Sequence, residues 1–376
     1  MKVYDLSFAG STLLGTIILT TVVTGCVGSS SVNQSPASAQ VRYIRFFDNQ
    51  CKNGFETKVY GISNRGEVVG SSSYYKPSSW PTGCKQQAFI DNGSTASWLG
   101  FIPGFTLVSE AYTVSDSGVA GGSSDNGSVY TGMLASKDGN KQLIGVSYSA
   151  GPIRGISPEE TYVTGISTDN KMFLYDLTQS KFIDLDSFYS KYDIASGFGL
   201  GVANNGVFVG GFHSYQESYG NQGFLCDAQA NCRVFNVSTD GSMMRAISSN
   251  AQFIVGNTLG NKTKIFYAKA NDVFESTTFI SGTDGCYPTS ISDEGMVAIS
   301  CNENQDNNFL FNLKTQKLIT LQQVFDKYKI INPAAASLVG IKISSNGKFI
   351  IGNNYNESGE FFDSGVRVYF PEGINF

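Results

Sequence analysis

Seven copies of one short pattern constrain this chain more than any other feature of its sequence. Each copy reads apolar, small, β-branched, then Ser or Ala, followed by a tight turn, an apolar pair and, in most copies, Gly. The segments are "YGISNRGEVVG", "YTVSDSGVAGG", "RGISPEETYVTG", "LGVANNGVFVGG", "RAISSNAQFIVG", "TSISDEGMVAIS" and "IKISSNGKFIIG". Their Ser/Ala anchors are Ser63, Ser115, Ser157, Ala203, Ser248, Ser292 and Ser344, with successive spacings of 52, 42, 46, 45, 44 and 52 residues. That period matches a four-stranded propeller blade and exceeds most helical repeats. The chemistry of each position agrees. The residue before each anchor (Ile62, Val114, Ile156, Val202, Ile247, Ile291, Ile343) is β-branched, as a buried strand favours. The residue before that is small in six copies (Gly61, Thr113, Gly155, Gly201, Ala246, Ser290) and Lys342 in the seventh. Small side chains suit innermost strands that converge on an axis. The turns "NRG", "DSG", "NNG", "DEG" and "SNG" supply the Asn, Asp and Gly that tight hairpins need.

The rest of each blade follows the anchor pattern. Third strands read as "QAFIDN", "YTGMLAS", "KMFLYDL", "QGFLCDA", "KIFYAKA", "NFLFNL" and "VRVYFPE"; fourth strands are clearest in "KFIDLD" and "KLITLQ". Two connectors, "LDSFYSKYDI" and "LQQVFDKYKI", look helical. The last copy stops after its third strand, at Val366 to Phe370, while a lone strand, Val41 to Phe47, precedes the first copy. A ring must close to remove its exposed edges, so the expectation is that the early strand completes the final blade from outside. The expected fold is all-β, a seven-bladed propeller over residues 41–376 closed by the amino-terminal strand, with six or eight blades as the alternative count. Aromatics at 13%, 42 glycines and only 15% charged residues fit strands and turns better than surface helices.

The pattern "GISxxGxVVG", then "AF", then "DL" and a short helix resembles the extracellular HAF-repeat family of bacterial propellers, over roughly residues 59 to 370. Its signature triplet is Gln87-Ala88-Phe89 in this chain, copies three and five lack the turn Gly, and copy six lacks the closing one. That family is defined by its repeats rather than by an activity, so the resemblance implies an architecture and no catalytic residues.

The amino terminus carries an address. After Lys2 comes an apolar stretch from Leu13 to Val23, short for a membrane span and suited to a signal-peptide core. It ends in Val23-Thr24-Gly25-Cys26, which resembles the lipobox of bacterial lipoproteins. The resemblance implies removal of residues 1–25 and lipidation of Cys26, and two or three acyl chains suffice for stable anchoring. Residues 26–40 continue as an uncharged Ser-, Asn- and Pro-rich tether. Residue 27 is Val rather than Asp, which in a Gram-negative source implies sorting to the outer membrane.

Six cysteines remain, an even count that suggests three disulfides in an exported chain. Cys286 and Cys301 are equidistant from the turn at Asp293-Glu294, Cys226 and Cys232 flank a short loop, and Cys51 with Cys84 follows by elimination.

Function is less legible. A net charge of −5 with no basic run speaks against nucleic acid, and a single histidine, His213, against His-rich metal sites. No nucleophile elbow, P-loop or metal spacing is present, and no cofactor is expected. In a propeller the links between strands two and three, and between blades, open on one face, the loop face; the tight turns open on the other. Tyr74, Tyr75, Trp80, His213, Tyr215 and Tyr219 fall in the long loops, where aromatics can stack on a sugar or pack on a peptide. Arg154 and Arg245 share a repeat position, three before the anchor, from which both approach the axis and can meet an anion. Asp116, Asp293 and their Asn equivalents read as turn formers. The sequence thus points to a monomeric, envelope-anchored module that binds protein, peptide or glycan through the loop face. The alternatives are a hydrolase or lyase acting on polysaccharide, or a passive envelope scaffold.

Overall fold

A computed structural model describes residues 38–46, 51, 56–75, 84–136, 139–143, 149–216, 220–235, 237–260, 263–272, 276–301, 308–330, 338–355 and 362–376. They form seven four-stranded antiparallel sheets arranged as the blades of one ring. Cys26, the lipobox, Trp80 and Tyr219 lie outside the described residues.

Each repeat supplies the two innermost strands of a blade. In blade one Thr57–Ile62 is innermost, followed outward by Val68–Tyr75, Cys84–Asp91 and Ala96–Gly100. Blade seven is built as the orphan strand requires. Val339–Ile343, Phe349–Tyr355 and Phe362–Tyr369 are completed on the outside by Gln40–Ile44, with Gln40 opposite Tyr369 and Ile44 opposite Gly365. The closing strand also grips its neighbour: Arg42 forms a 2.9 Å ion pair with buried Asp91 of blade one.

The anchor serine closes the turn. Ser157 and Ser248 each accept two backbone N–H groups from residues four and five positions downstream, at 2.9–3.1 Å. Ser115, Ser292 and Ser344 make the corresponding bond once. These hydroxyls are buried, so without the turn N–H groups they would forfeit a hydrogen bond, and the turn would lose its brace.

The pattern's closing Gly has a structural cause that the sequence alone does not disclose. In blades one to six the innermost strand carries a β-bulge just before its small residue, between Val59 and Gly61 in blade one and between Ala111 and Thr113 in blade two, for example. The bulge pushes a carbonyl toward the second strand. A Cβ on Gly70 would lie 1.8 Å from the Lys58 oxygen, and one on Gly210 would lie 1.9 Å from that of Phe198. In blades one to five only Gly fits there. Blade six has Ile299 at this place, opposite Pro288, and nothing in the structure explains the exception.

The apolar residues form seven separate clusters, one between each pair of adjacent blades. The two helical connectors, Asp186–Tyr192 and Leu321–Lys327, plug two of these gaps with Phe188 and Tyr189 and with Val324 and Phe325. The second helix opens with a capping box between Thr320 and Gln323. All three disulfides pair as expected: Cys51–Cys84, Cys226–Cys232 and Cys286–Cys301.

The turn residues do more than turn. At the mouth opposite the loop face they bond from blade to blade around the whole ring. Asn64 donates its backbone and side-chain N–H to Asp116 at 2.8 and 2.9 Å, and Asp116 N–H reaches the Pro158 carbonyl at 2.9 Å. Glu159 N–H donates to Asn204, Asn204 to Ser249, and Asn250 to Asp293. Asp293 N–H reaches Ser345, and Asn346 N–H returns to Asn64 at 2.7 Å. The belt has no gap.

Candidate functional site

Among the described residues two hollows stand out, one on the axis of the ring and one on the loop face. The bulges shape the first. In six blades the extra residue is Tyr60, Tyr112, Arg154, Leu200, Arg245 or Thr289, each half-buried beside a fully buried neighbour. Bulges re-aim side chains and are common beside sites. In blade seven the register differs, and Lys342 faces the axis while Ile341 is buried in the blade interface. The result is an axial cavity of about 140 Å³. Tyr112, Arg154, Arg245 and Lys342 line it, and the turn residues Asn64, Asp116 and Ser345 line it where it reaches the turn face.

Small residues explain how the inner strands come close enough to enclose so little space. A Cβ on Gly61 would meet the Thr113 Cα and the Tyr112 oxygen at 2.9 Å. Where that position carries a hydroxyl it bridges blades: Ile343 N–H donates to Ser290 at 2.7 Å and Ile156 N–H to Thr113 at 3.3 Å.

Arg154 of the axial group lies with its guanidinium carbon 3.9 Å from the centre of the Tyr112 ring, a cation–π contact that holds it in place. Arg245 donates from Nε to Asn257 Oδ1 at 2.8 Å and stands over the Tyr287 ring at 5.7 Å. Burial lowers the Arg245 pKa from its ordinary value. Lys342 has no hydrogen-bond partner among the described residues. Burial, then the charge of Arg154, pushes its pKa down to about 8. Glu110, two residues nearer the loop face than Tyr112, accepts hydrogen bonds from the hydroxyls of Tyr60, at 3.3 Å, and Tyr112. Burial and the Glu110 charge hold both tyrosines above their ordinary pKa, so they stay neutral donors. The Asp116 carboxylate is taken by Asn64. The axis therefore collects three cations, and both nearby carboxylates already have partners.

The second hollow is a groove of about 700 Å³ on the loop face of blade five, lined by Val237, Asp240, Leu259, Lys264 and Phe279. Exposed large apolar residues gather on the same face. Of the five among the described residues, Val129, Tyr130, Tyr215 and Phe279 sit there and only Tyr43 lies elsewhere, on the closing strand.

Of the residues singled out from sequence, Arg154 and Arg245 come together on the axis. His213 and Tyr215 are exposed at the loop-face end of a blade-four strand, Tyr215 at 72%. Tyr74 and Tyr75 end the second strand of blade one, where their backbone pairs with Lys85 and Cys84. Sequence reasoning missed Tyr60, Tyr112 and Lys342 as axial residues. The signal was available for Tyr60 and Tyr112, which share the repeat position of the two arginines. Lys342 was visible as the one large residue in a column of small ones. Phe279 carried no signal, because nothing in its segment marks it as exposed.

The sequence matches no protein-family model and no curated protein. Solved structures do match the fold. An oligogalacturonate lyase in complex with manganese is similar over 90% of this chain and 99% of its own, with a TM-score of 0.53 and 10% identity. The oligogalacturonate lyase of Vibrio parahaemolyticus is similar over 90% of this chain and 100% of its own, with a TM-score of 0.53 and 11% identity. At such identity the likeness is one of fold, and a propeller fold hosts many functions.

Proposed function

We propose that this chain is an exported lipoprotein of the outer membrane, anchored through Cys26, whose monomeric propeller binds a protein, peptide or glycan through its loop face. The observation that carries this reading is the one-sided distribution of exposed apolar side chains. Val129, Tyr130, Tyr215 and Phe279 stand at 49%, 55%, 72% and 46% exposure on the loop face, and Phe279 borders the blade-five groove. Aromatic anchors beside a groove are what a recognition surface needs, and the volume suits a peptide side chain or sugar ring. The closed hydrogen-bond belt on the opposite face supports the reading, since a rigid frame lowers the entropy lost when loops are held for binding. The lipobox-like segment and the uncharged tether support the anchoring. The HAF-repeat resemblance is consistent with an extracytoplasmic place.

The test immobilises the full chain in detergent and challenges it with fractionated envelope extract and with a glycan panel. Phe279→Asp combined with Tyr215→Asp should lower retention of any bound component at least tenfold while leaving the fold intact. Equal retention by the double variant would sink the loop-face assignment. Separately, Cys26→Ser should abolish incorporation of labelled palmitate and release the chain from the membrane fraction; continued labelling refutes the anchor.

A further inference from the structure

We propose that the axial cavity is a binding site for a small oxyanion carrying at least two negative charges, held by Arg154, Arg245 and Lys342 and entered from the turn face. This site lies opposite the loop face and does not rest on the reading given above.

Three observations converge on it. The first is charge. Arg154, Arg245 and Lys342, from blades three, five and seven, line one hollow of about 140 Å³. The carboxylates nearby face other partners, Glu110 accepting from Tyr60 and Tyr112 and Asp116 from Asn64, and among the described residues neither forms an ion pair with the three cations. Crowding like charges in a partly desolvated space is unfavourable, and a multivalent anion relieves it.

The second is the state of the donors. Tyr112 holds the Arg154 guanidinium by a cation–π contact, and the Arg154 N–H groups have no hydrogen-bond partner among the described residues. Asn257 takes only the Nε of Arg245, so the two terminal nitrogens remain for a ligand. The Lys342 ammonium, desolvated and without a partner, is the third donor. Two guanidinium forks and one point charge are the usual equipment for a tetrahedral oxyanion.

The third is the repeat itself. The position of Lys342 is occupied by Gly61, Thr113, Gly155, Gly201, Ala246 and Ser290 in the other blades. Packing asks for a small residue there, and blade seven alone has a long cation. The size of the hollow sets the ligand: a cavity of about 150 Å³ accommodates one benzene, so a phosphate-sized group fits and an oligosaccharide does not. The anion is either free or the charged end of a larger molecule projecting through the turn face.

The experiment is isothermal titration of the full chain in detergent with inorganic phosphate and with phenyl phosphate, each against sodium chloride and acetate at matched ionic strength. Saturable binding of phosphate at least tenfold tighter than acetate is expected. It should weaken at least tenfold in Lys342→Met and in Arg245→Gln and stay unchanged in Phe279→Asp. Either order of the two phosphates supports the site: tighter phenyl phosphate identifies the end of a larger ligand, tighter inorganic phosphate a free ion. Phosphate heats indistinguishable from chloride, or full wild-type affinity in both cation variants with native circular dichroism, overturn the proposal.

Discussion

Replacing Lys342 by Met should make the folded chain more stable, which is the reverse of what most substitutions at a buried position do. The ammonium is taken out of water next to Arg154 and gains no partner in return. Its pKa falls from 10.5 to about 8 as a result, and each pKa unit corresponds to about 1.4 kcal/mol. The charged lysine therefore costs the fold about 3 kcal/mol wherever it is protonated in both states, that is, below pH 8. Between pH 8 and 10.5 the unfolded chain binds the extra proton and the folded chain does not, so wild-type stability gains on the variant as pH rises. Above pH 10.5 that component of the difference vanishes. Met keeps the length of the stem and carries no charge, so the cavity wall stays filled. For a ring of this size, whose unfolding entropy is about 0.7 kcal/mol/K, 3 kcal/mol corresponds to about 4 °C in Tm. The assay is thermal unfolding followed by circular dichroism, wild type beside variant, at pH 7, 9 and 10.5 in a buffer free of multivalent anions. A variant that melts below wild type at pH 7 refutes the reasoning, and so does an advantage that stays constant with pH.

Three further outcomes follow from the same geometry. Asp116→Ala removes the acceptor for both N–H groups of Asn64 and opens the belt between blades one and two, at a cost of about 1–3 kcal/mol by urea unfolding at pH 7. Two adjacent glycines should behave oppositely in expression and melting assays. Gly210→Ala puts its Cβ into the Phe198 carbonyl and costs more than about 3 kcal/mol, whereas Gly211→Ala is tight only against the Met243 side chain, at 3.3 Å, with the Phe198 ring and the Gln222 carbonyl at ordinary contact, and changes stability by less than about 1 kcal/mol. The double variant Cys286→Ser, Cys301→Ser opens a loop of 15 residues and should lose about 3 kcal/mol in urea unfolding, with little change in the folded-state spectrum.

The legible part of this molecule was the part written in repeated residue chemistry. The β-branched residue before each anchor, the small residue before that, and the orphan strand matched to an unfinished last blade together dictate a closed ring. Ser63 and its equivalents announced the turns, although not that their hydroxyls would hold the N–H groups downstream. What stayed hidden depends on register rather than composition. A bulge changes which way one residue points without changing any residue type, so Tyr60 and Tyr112 read as ordinary strand tyrosines. Asp116 and Asn204 read as turn formers because their second task, bonding to the neighbouring blade, joins residues 52 and 45 positions apart. The loop-face groove is hidden for a similar reason, since Val237, Leu259 and Phe279 come from three separate segments.

The direction of the closing strand settles which way the two hollows look. Gln40 pairs with Tyr369, which lies opposite Phe349 just past the turn, and Ile44 pairs with Gly365 further toward the loops. The described chain therefore enters the ring from the side of the tight turns. A propeller held by that end, as the proposed anchor requires, would turn its aromatic face away from its point of attachment. Under the proposed anchoring through Cys26, the charged axial mouth would face the point of attachment, with anionic headgroups as its nearest neighbours.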